Sequence, residues 1–239
     1  MDDILQFSIY YFDLKHNDVY KFDGIKNYRK IDSDVPLPFL MGLYNEYKIN
    51  NISKEDFSKC LTLISGYLIR RHMCGLETGP ISRFFPSLLK NVIKTFKKEK
   101  NNVVEILKFY LVNKNSQKSI KMPKDEEIEY YLKNNNAYSL KSTRVFFEIF
   151  ELCNLISINL NDLTIEHIMP QTSTPYWQKK ANTEDEEVYN NLVNSIGNLT
   201  LAHKITNSSM QNKDFQSKKK ELEKIGKIDL TKDVLNKTE

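Results

Sequence analysis

Four residues in the last third of the chain have types and an order that suit hydrolytic chemistry. Glu166 and His167 stand side by side, Asn198 follows a glycine, and Asn207 comes nine residues later. An imidazole titrates near neutrality, so His167 can take a proton from water at pH 7. The Glu166 carboxylate and the Asn207 amide oxygen are hard donors, which suit a cation such as Mg²⁺ that prefers oxygen and keeps several waters. Taken singly, each residue has a plainer explanation. A histidine before Ile-Met-Pro is more often packed or solvent-facing, Asn198 is a turn residue, and Asn207 is a helix cap. The ordered set is what raises the chemical reading above these.

The elements that must position the set can be read around it. Neighbours on a strand point to opposite faces, so a strand carrying both Glu166 and His167 must twist or end there. Pro170 is placed to end it. Residues 155–170 alternate β-branched side chains, which predicts a short strand around 162–168. Residues 171–187 read as a loop with Pro175, the lone Trp177 and an acidic run, and 188–195 as a helix. Gly197 to Leu201 reads as a turn into a second strand. A last, Lys-rich helix starts at Asn207 with Ser or Asn as its cap. Upstream, residues 1 to about 155 read as successive amphipathic helices. Ser53 and Asp56 open one of them as a capping box, and Cys74-Gly75 closes it. Pro86 falls near a first turn or at a break. The expected fold is α+β but mostly α: a helical domain over 1–158 and a small strand–strand–helix domain over 159–239.

Composition narrows the classes. The 239 residues are 40% hydrophobic and 28% charged, which is ordinary foldable material. Seven glycines are too few for a turn-rich β architecture and supply no Gly-rich phosphate loop. No apolar run reaches the roughly 18 residues of a membrane helix. The acidic start MDDILQF is unlike a secretory signal. The three cysteines, Cys60, Cys74 and Cys153, form no CxxC pair, which argues against a structural zinc and for a reducing, cytoplasmic setting. The net charge of +4 is uneven. Residues 66–100 carry eight basic side chains, Arg70, Arg71 and Arg83 among them, against two acidic ones. Residues 197–228 carry seven, Lys204, Lys213 and Lys218 among them, against three. Both stretches could follow a phosphate backbone; the simpler account of a lysine run is a solvated helix face.

These motifs resemble the HNH nuclease superfamily. There an acid–His pair lies on the first strand of a ββα-metal finger, an Asn opens the second strand, and an Asn or His sits on the helix. The nine-residue step from Asn198 selects Asn207 over the rival His203, which reads as a strand-end or surface residue. More narrowly, EHIMPQ with Trp177, IGNLTL, Asn207 and Asn212-Lys213-x-Phe215 resemble the C-terminal nuclease domain of GmrSD-type, type IV modification-dependent restriction enzymes. The Tyr-x-x-Arg-Arg-x-x-Cys-Gly phrase from Tyr67 to Gly75 extends the likeness to roughly residues 35–225.

The resemblance implies a metal-dependent DNA endonuclease acting on foreign or modified DNA by a one-metal HNH mechanism. His167 would be the general base, and Glu166 and Asn207 the ligands of Mg²⁺ or Mn²⁺. Asn198 would tie the loop and steer His167, and Lys213 would contact a phosphate. Arg70, Arg71, Arg83, Lys204 and Lys218 would hold the DNA backbone. Many family members carry Asp where this chain has Glu166, one methylene longer. The family also implies a ParB/sulfiredoxin-like NTPase domain or subunit, which alone would bring in NTP. With no P-loop in the sequence, the chain is expected to be the separate nuclease subunit or a C-terminal fragment. The rival class is an inactive DNA- or partner-binding remnant. Suitable residues at all three HNH positions argue against it.

Overall fold

The computed structural model describes residues 2–16, 22–99, 102–113, 119–153, 160–225 and 228–236. It divides into two compact units, Met1–Lys124 and Asp125–Glu239. The expected junction at 158/159 falls within 154–159, outside the described residues, and the last two helices of the expected helical domain fall in the second unit. No helix among the described residues is long and apolar enough to cross a membrane.

Among the described residues, the first unit holds six helices: α1 (Asp2–Lys15), α2 (Ile25–Ile31), α3 (Leu37–Lys48), α4 (Lys54–Met73), α5 (Gly79–Glu99) and α6 (Val103–Val112). Helix α4 packs on α2, α3 and α6. Its start follows from Ser53, whose Oγ accepts from the Asp56 backbone N–H at 3.0 Å and satisfies one of the orphan donors of a first turn. Its end follows from Gly75, whose φ of +61° is open to glycine at little cost. Phe57, Leu61, Ile64 and Leu68 recur at helical spacing and are buried. Pro86 lies inside α5 without ending it.

Arg71 continues the buried stripe of α4, one turn after Leu68, and is 1% exposed. Its guanidinium donates to the carbonyls of Glu77 (2.8 Å), Ser119 (2.9 Å) and Lys121 (3.1 Å). Tyr67 Oη donates to Ile120 O at 2.6 Å, and Arg70 to Pro123 O at 3.0 Å. The Tyr-x-x-Arg-Arg phrase thus fastens the chain over 119–123, where no regular ladder takes up those carbonyls.

The second unit runs α7 (Asp125–Asn134), α8 (Lys141–Cys153), β1 (Leu163–His167), α9 (Pro175–Ala181), α10 (Glu186–Val193), β2 (Leu199–His203), α11 (Lys204–Met210), α12 (Phe215–Ile225) and α13 (Asp229–Asn236). Strands β1 and β2 pair antiparallel, from Leu163 opposite His203 to His167 opposite Leu199. One apolar cluster joins Ile168, Ala202, Met210 and Leu222. Another joins Trp177, Tyr189 and Val193.

Two local expectations change. The segment 171–187 is not all loop, because α9 forms within it. Thr174 Oγ1 accepts from Trp177 N, and Pro175 occupies a first-turn position where its missing N–H costs nothing. Trp177 is then buried, with Nε1 donating to Lys213 O at 3.0 Å. The last helix also does not start at Asn207. Helix α11 begins straight after β2, so Asn207 lies within it. The chain then breaks at Gln211 (φ +35°) before α12, which is capped by Asp214 accepting from Ser217 N at 2.9 Å.

Candidate active site

The second unit contains a polar cleft of about 400 Å³ beside β1. Glu166, His167, Asn207, Lys218, Tyr138 and Gln211 are among the residues lining it. A cavity of about 790 Å³ in the first unit, lined among others by Lys54, Glu55, Lys59 and Glu105, is larger. Among the described residues lining it are charges of mixed sign, no histidine and no buried unpartnered atom. Chemistry therefore points to the smaller cleft.

The end of β1 solves the problem of two neighbouring site residues. Glu166 meets α12, while His167, the last residue of the strand, meets Tyr138 and Asn194. His167 is 8% exposed, and its ring packs edge-on against the Tyr138 ring with centroids 4.4 Å apart. Burial lowers its pKa below the ordinary imidazole range. The Lys218 charge adds to that shift, and a hydrogen bond to the Asn194 side chain opposes it. Nε2 is buried with no partner among the described residues, so the bond to Asn194 uses Nδ1. Nδ1 donating there leaves the lone pair on Nε2. An unpartnered buried nitrogen is costly and uncommon in a folded protein.

Glu166 is 5% exposed and Lys218 is 1% exposed. Lys218 Nζ lies 2.7 Å from Glu166 Oε1 and donates to His167 O at 2.6 Å. Burial raises the pKa of Glu166 and lowers that of Lys218, while each partner pulls the other back towards its charged form. Asn207 Nδ2 donates to Ile165 O at 2.9 Å, which anchors α11 to β1. Its Oδ1 remains as an acceptor on a residue lining the cleft. One carboxylate and one amide oxygen suit Mg²⁺ or Mn²⁺, which keep waters and share phosphate oxygens. Among the described residues, no three His, Cys, Asp or Glu side chains gather in a way that could hold a metal by themselves.

The other residues singled out in the sequence lie elsewhere. Asn198 is tucked behind the site. Its Oδ1 accepts from Met169 N at 2.6 Å, and its Nδ2 donates to Met169 O and Val193 O, both at 2.8 Å. It ties the segment after His167 to the end of α10. Lys213 is half exposed, 3.9 Å from Glu221. Lys204 and Arg83 are exposed, on α11 and α5. Arg70 is half-buried on Pro123 O. Arg71 and Lys218 are corrected from surface contacts to interior cations, because each is 1% exposed and spent on internal acceptors. Sequence reasoning did not single out Tyr138 and Asn194, and misassigned Lys218. A signal for Lys218 existed: it lies three residues after Phe215 and four before Leu222, on the apolar stripe of α12.

No curated protein and no solved structure matches the chain. The family described as GmrSD restriction endonucleases, C-terminal domain, matches residues 97–239, more than half of the length and all of the second unit. With that match added to the cleft geometry, the chain belongs to the C-terminal domain family of the GmrSD restriction endonucleases.

Proposed function

We propose that the second unit is an HNH-type nuclease that hydrolyses DNA phosphodiester bonds, and that β1, β2 and α11 are its ββα-metal finger. The observation that carries this reading is His167 Nε2, a buried nitrogen without a partner among the described residues, on a residue that shares one cleft with Glu166 and Asn207.

In this reading Nε2 takes a proton from water, and the resulting hydroxide attacks phosphorus. The P–O3′ bond breaks, and the 3′-oxygen leaves with a proton from solvent. The Nδ1 bond to Asn194 fixes which nitrogen is basic, and burial keeps the imidazole neutral at pH 7. Asn198 holds the chain after His167 and so limits drift of the ring. Glu166 and Asn207 would hold Mg²⁺ or Mn²⁺, which when bound supplies charge stabilisation for the phosphorane-like transition state. Exposed Lys204 and Lys213 are the cations of this unit for backbone phosphates; in the first unit the same role falls to exposed Arg83 and half-buried Arg70. A ParB/sulfiredoxin-like NTPase partner that senses modified DNA, and a cytoplasmic role in defence, complete the proposal on the strength of the family.

The test is nicking of plain, methylated and glucosylated plasmid with Mg²⁺ or Mn²⁺, alone and with the NTPase partner. Wild type should cut under at least one condition, and His167→Ala should not, while still retaining DNA in a gel-shift assay. Absence of cutting under every condition, or equal cutting by His167→Ala, overturns the proposal.

A further inference from the structure

Lys218 is a feature that the proposed chemistry leaves unused. Its ammonium is 1% exposed and sits on the carboxylate assigned above to the metal. The second contact, to His167 O, fixes it on the strand that carries both catalytic candidates. Among the described residues lining the cleft, Glu166 is the only acidic one. Its charge is therefore already matched from within the fold.

We propose that Lys218 is a built-in counter-ion that holds the cleft near charge balance, so that a divalent cation settles there only together with a DNA phosphate. This rests on the reading of Glu166 and Asn207 as metal ligands. The electrostatics follow from the contacts. A free divalent cation approaching Glu166 meets a carboxylate already paired and an ammonium of its own sign. A phosphodiester brings one negative charge and further oxygens for the ion. Binding of metal and of DNA is then coupled, and by linkage each tightens the other by the same factor. Lys218 acts through Glu166 as a positioning residue and needs no contact with the substrate.

The experiment is Mn²⁺ binding to the full chain, followed by the electron paramagnetic resonance of free Mn²⁺, with and without a short DNA duplex. A His167→Ala background keeps the duplex intact and leaves the His167 carbonyl in place. Adding Glu166→Gln to this background measures the Mn²⁺ that the duplex binds by itself. Without duplex, binding should be weak. The duplex should tighten it by about tenfold or more, and Mn²⁺ should strengthen duplex binding by the same factor. Adding Lys218→Met should bring tight binding without duplex and little further gain, whereas Lys218→Arg should retain the coupling. Equal Mn²⁺ affinity with and without duplex overturns the proposal, and so does coupling that persists in Lys218→Met. If Lys218→Met does not fold, the reciprocal pair of affinities with Lys218 intact decides alone. Loss of the coupling in a protein that still nicks DNA through His167 counts against the role of Lys218 only. Coupling intact in a protein that never cuts counts against the nuclease reading instead.

Discussion

Each unit buries a cation almost completely, and the two cations are held in opposite ways. In the first unit Arg71 spreads a guanidinium over three backbone carbonyls, with its charge also near the Tyr67 ring, 5.6 Å from the centroid. In the second, Lys218 places a compact ammonium on one carboxylate and one carbonyl. The chemistry of the two side chains explains the division. A planar fork of donors is matched by several neutral acceptors, whereas a point charge taken out of water calls for an opposite charge. A buried arginine on carbonyls alone pins chain. A buried lysine on a carboxylate beside a cleft sets the field in which a ligand arrives. The two basic stretches look alike in the sequence, but each gives up one member to the interior for a different purpose.

Removing the proposed base from the second unit should have the largest effect. His167→Ala is expected to lower cutting by about 10²- to 10⁴-fold, the usual contribution of a general base, with the melting temperature nearly unchanged. Arg71→Met should show the converse behaviour. It leaves three carbonyls without their donor and should cost about 3 kcal/mol or more in urea denaturation, while kcat of the folded fraction stays the same. A selective loss of kcat in Arg71→Met would break the division between the two cations. Asn198→Ala strips hydrogen bonds from Met169 and Val193 and should cost about 1–3 kcal/mol, together with a loss of rate that His167 alone does not explain.

The pH profile sharpens the contrast further. The proposed base would work unprotonated, and burial lowers the pKa of His167. The acid limb of the rate should therefore fall below the ordinary histidine range. Tyr138→Ala exposes the ring and should move that limb up towards it. An unmoved limb would mean that Tyr138 does not provide the burial. The smallest effect is at Asp214, whose carboxyl is lowered by its hydrogen bonds to Ser217 at the start of α12. Asp214→Ala should cost about 1 kcal/mol. Because the folded-state pKa is depressed, the contribution of the wild-type residue is present at neutral pH. It should fade as pH falls through that folded value.

Much of the second unit was legible because its elements end on strong local signals. β1 covers 163–167 within the expected 162–168, and β2 follows Gly197-Asn198 as read. Helix α9 was missed because Trp177 and the acidic run drew attention from Thr174-Pro175, a cap followed by a first-turn proline. Asn207 was read as a cap because Asn favours caps. The ladder instead delivers the chain straight into a helix at Lys204. That Glu166, His167 and Asn207 line one cleft agrees with what the family resemblance implied from their order and spacing. The role of Lys218 was not legible, because Lys218, Lys219 and Lys220 read as one solvated run. On a helix, consecutive residues face directions about 100° apart, so the three do not share one face. Only the register of Phe215 and Leu222 says which one turns inward. Arg71, aligned with Ile64 and Leu68, carried the same kind of signal.

Asn198 has a consequence beyond its count of hydrogen bonds. The last paired residues of the sheet are His167 and Leu199, yet Ile168 N still donates to Asn198 O at 2.9 Å. Met169 then gives its N–H and its carbonyl to the Asn198 side chain. One primary amide imitates a peptide unit and adds a rung to the ladder where no backbone is left to supply it. The imitation needs both faces of the amide. Aspartate, equal in shape, would keep the contact with Met169 N and turn carboxylate oxygen towards two carbonyls. A change of one NH₂ for one oxygen should thus unzip that last rung and free the stretch that leads away from His167.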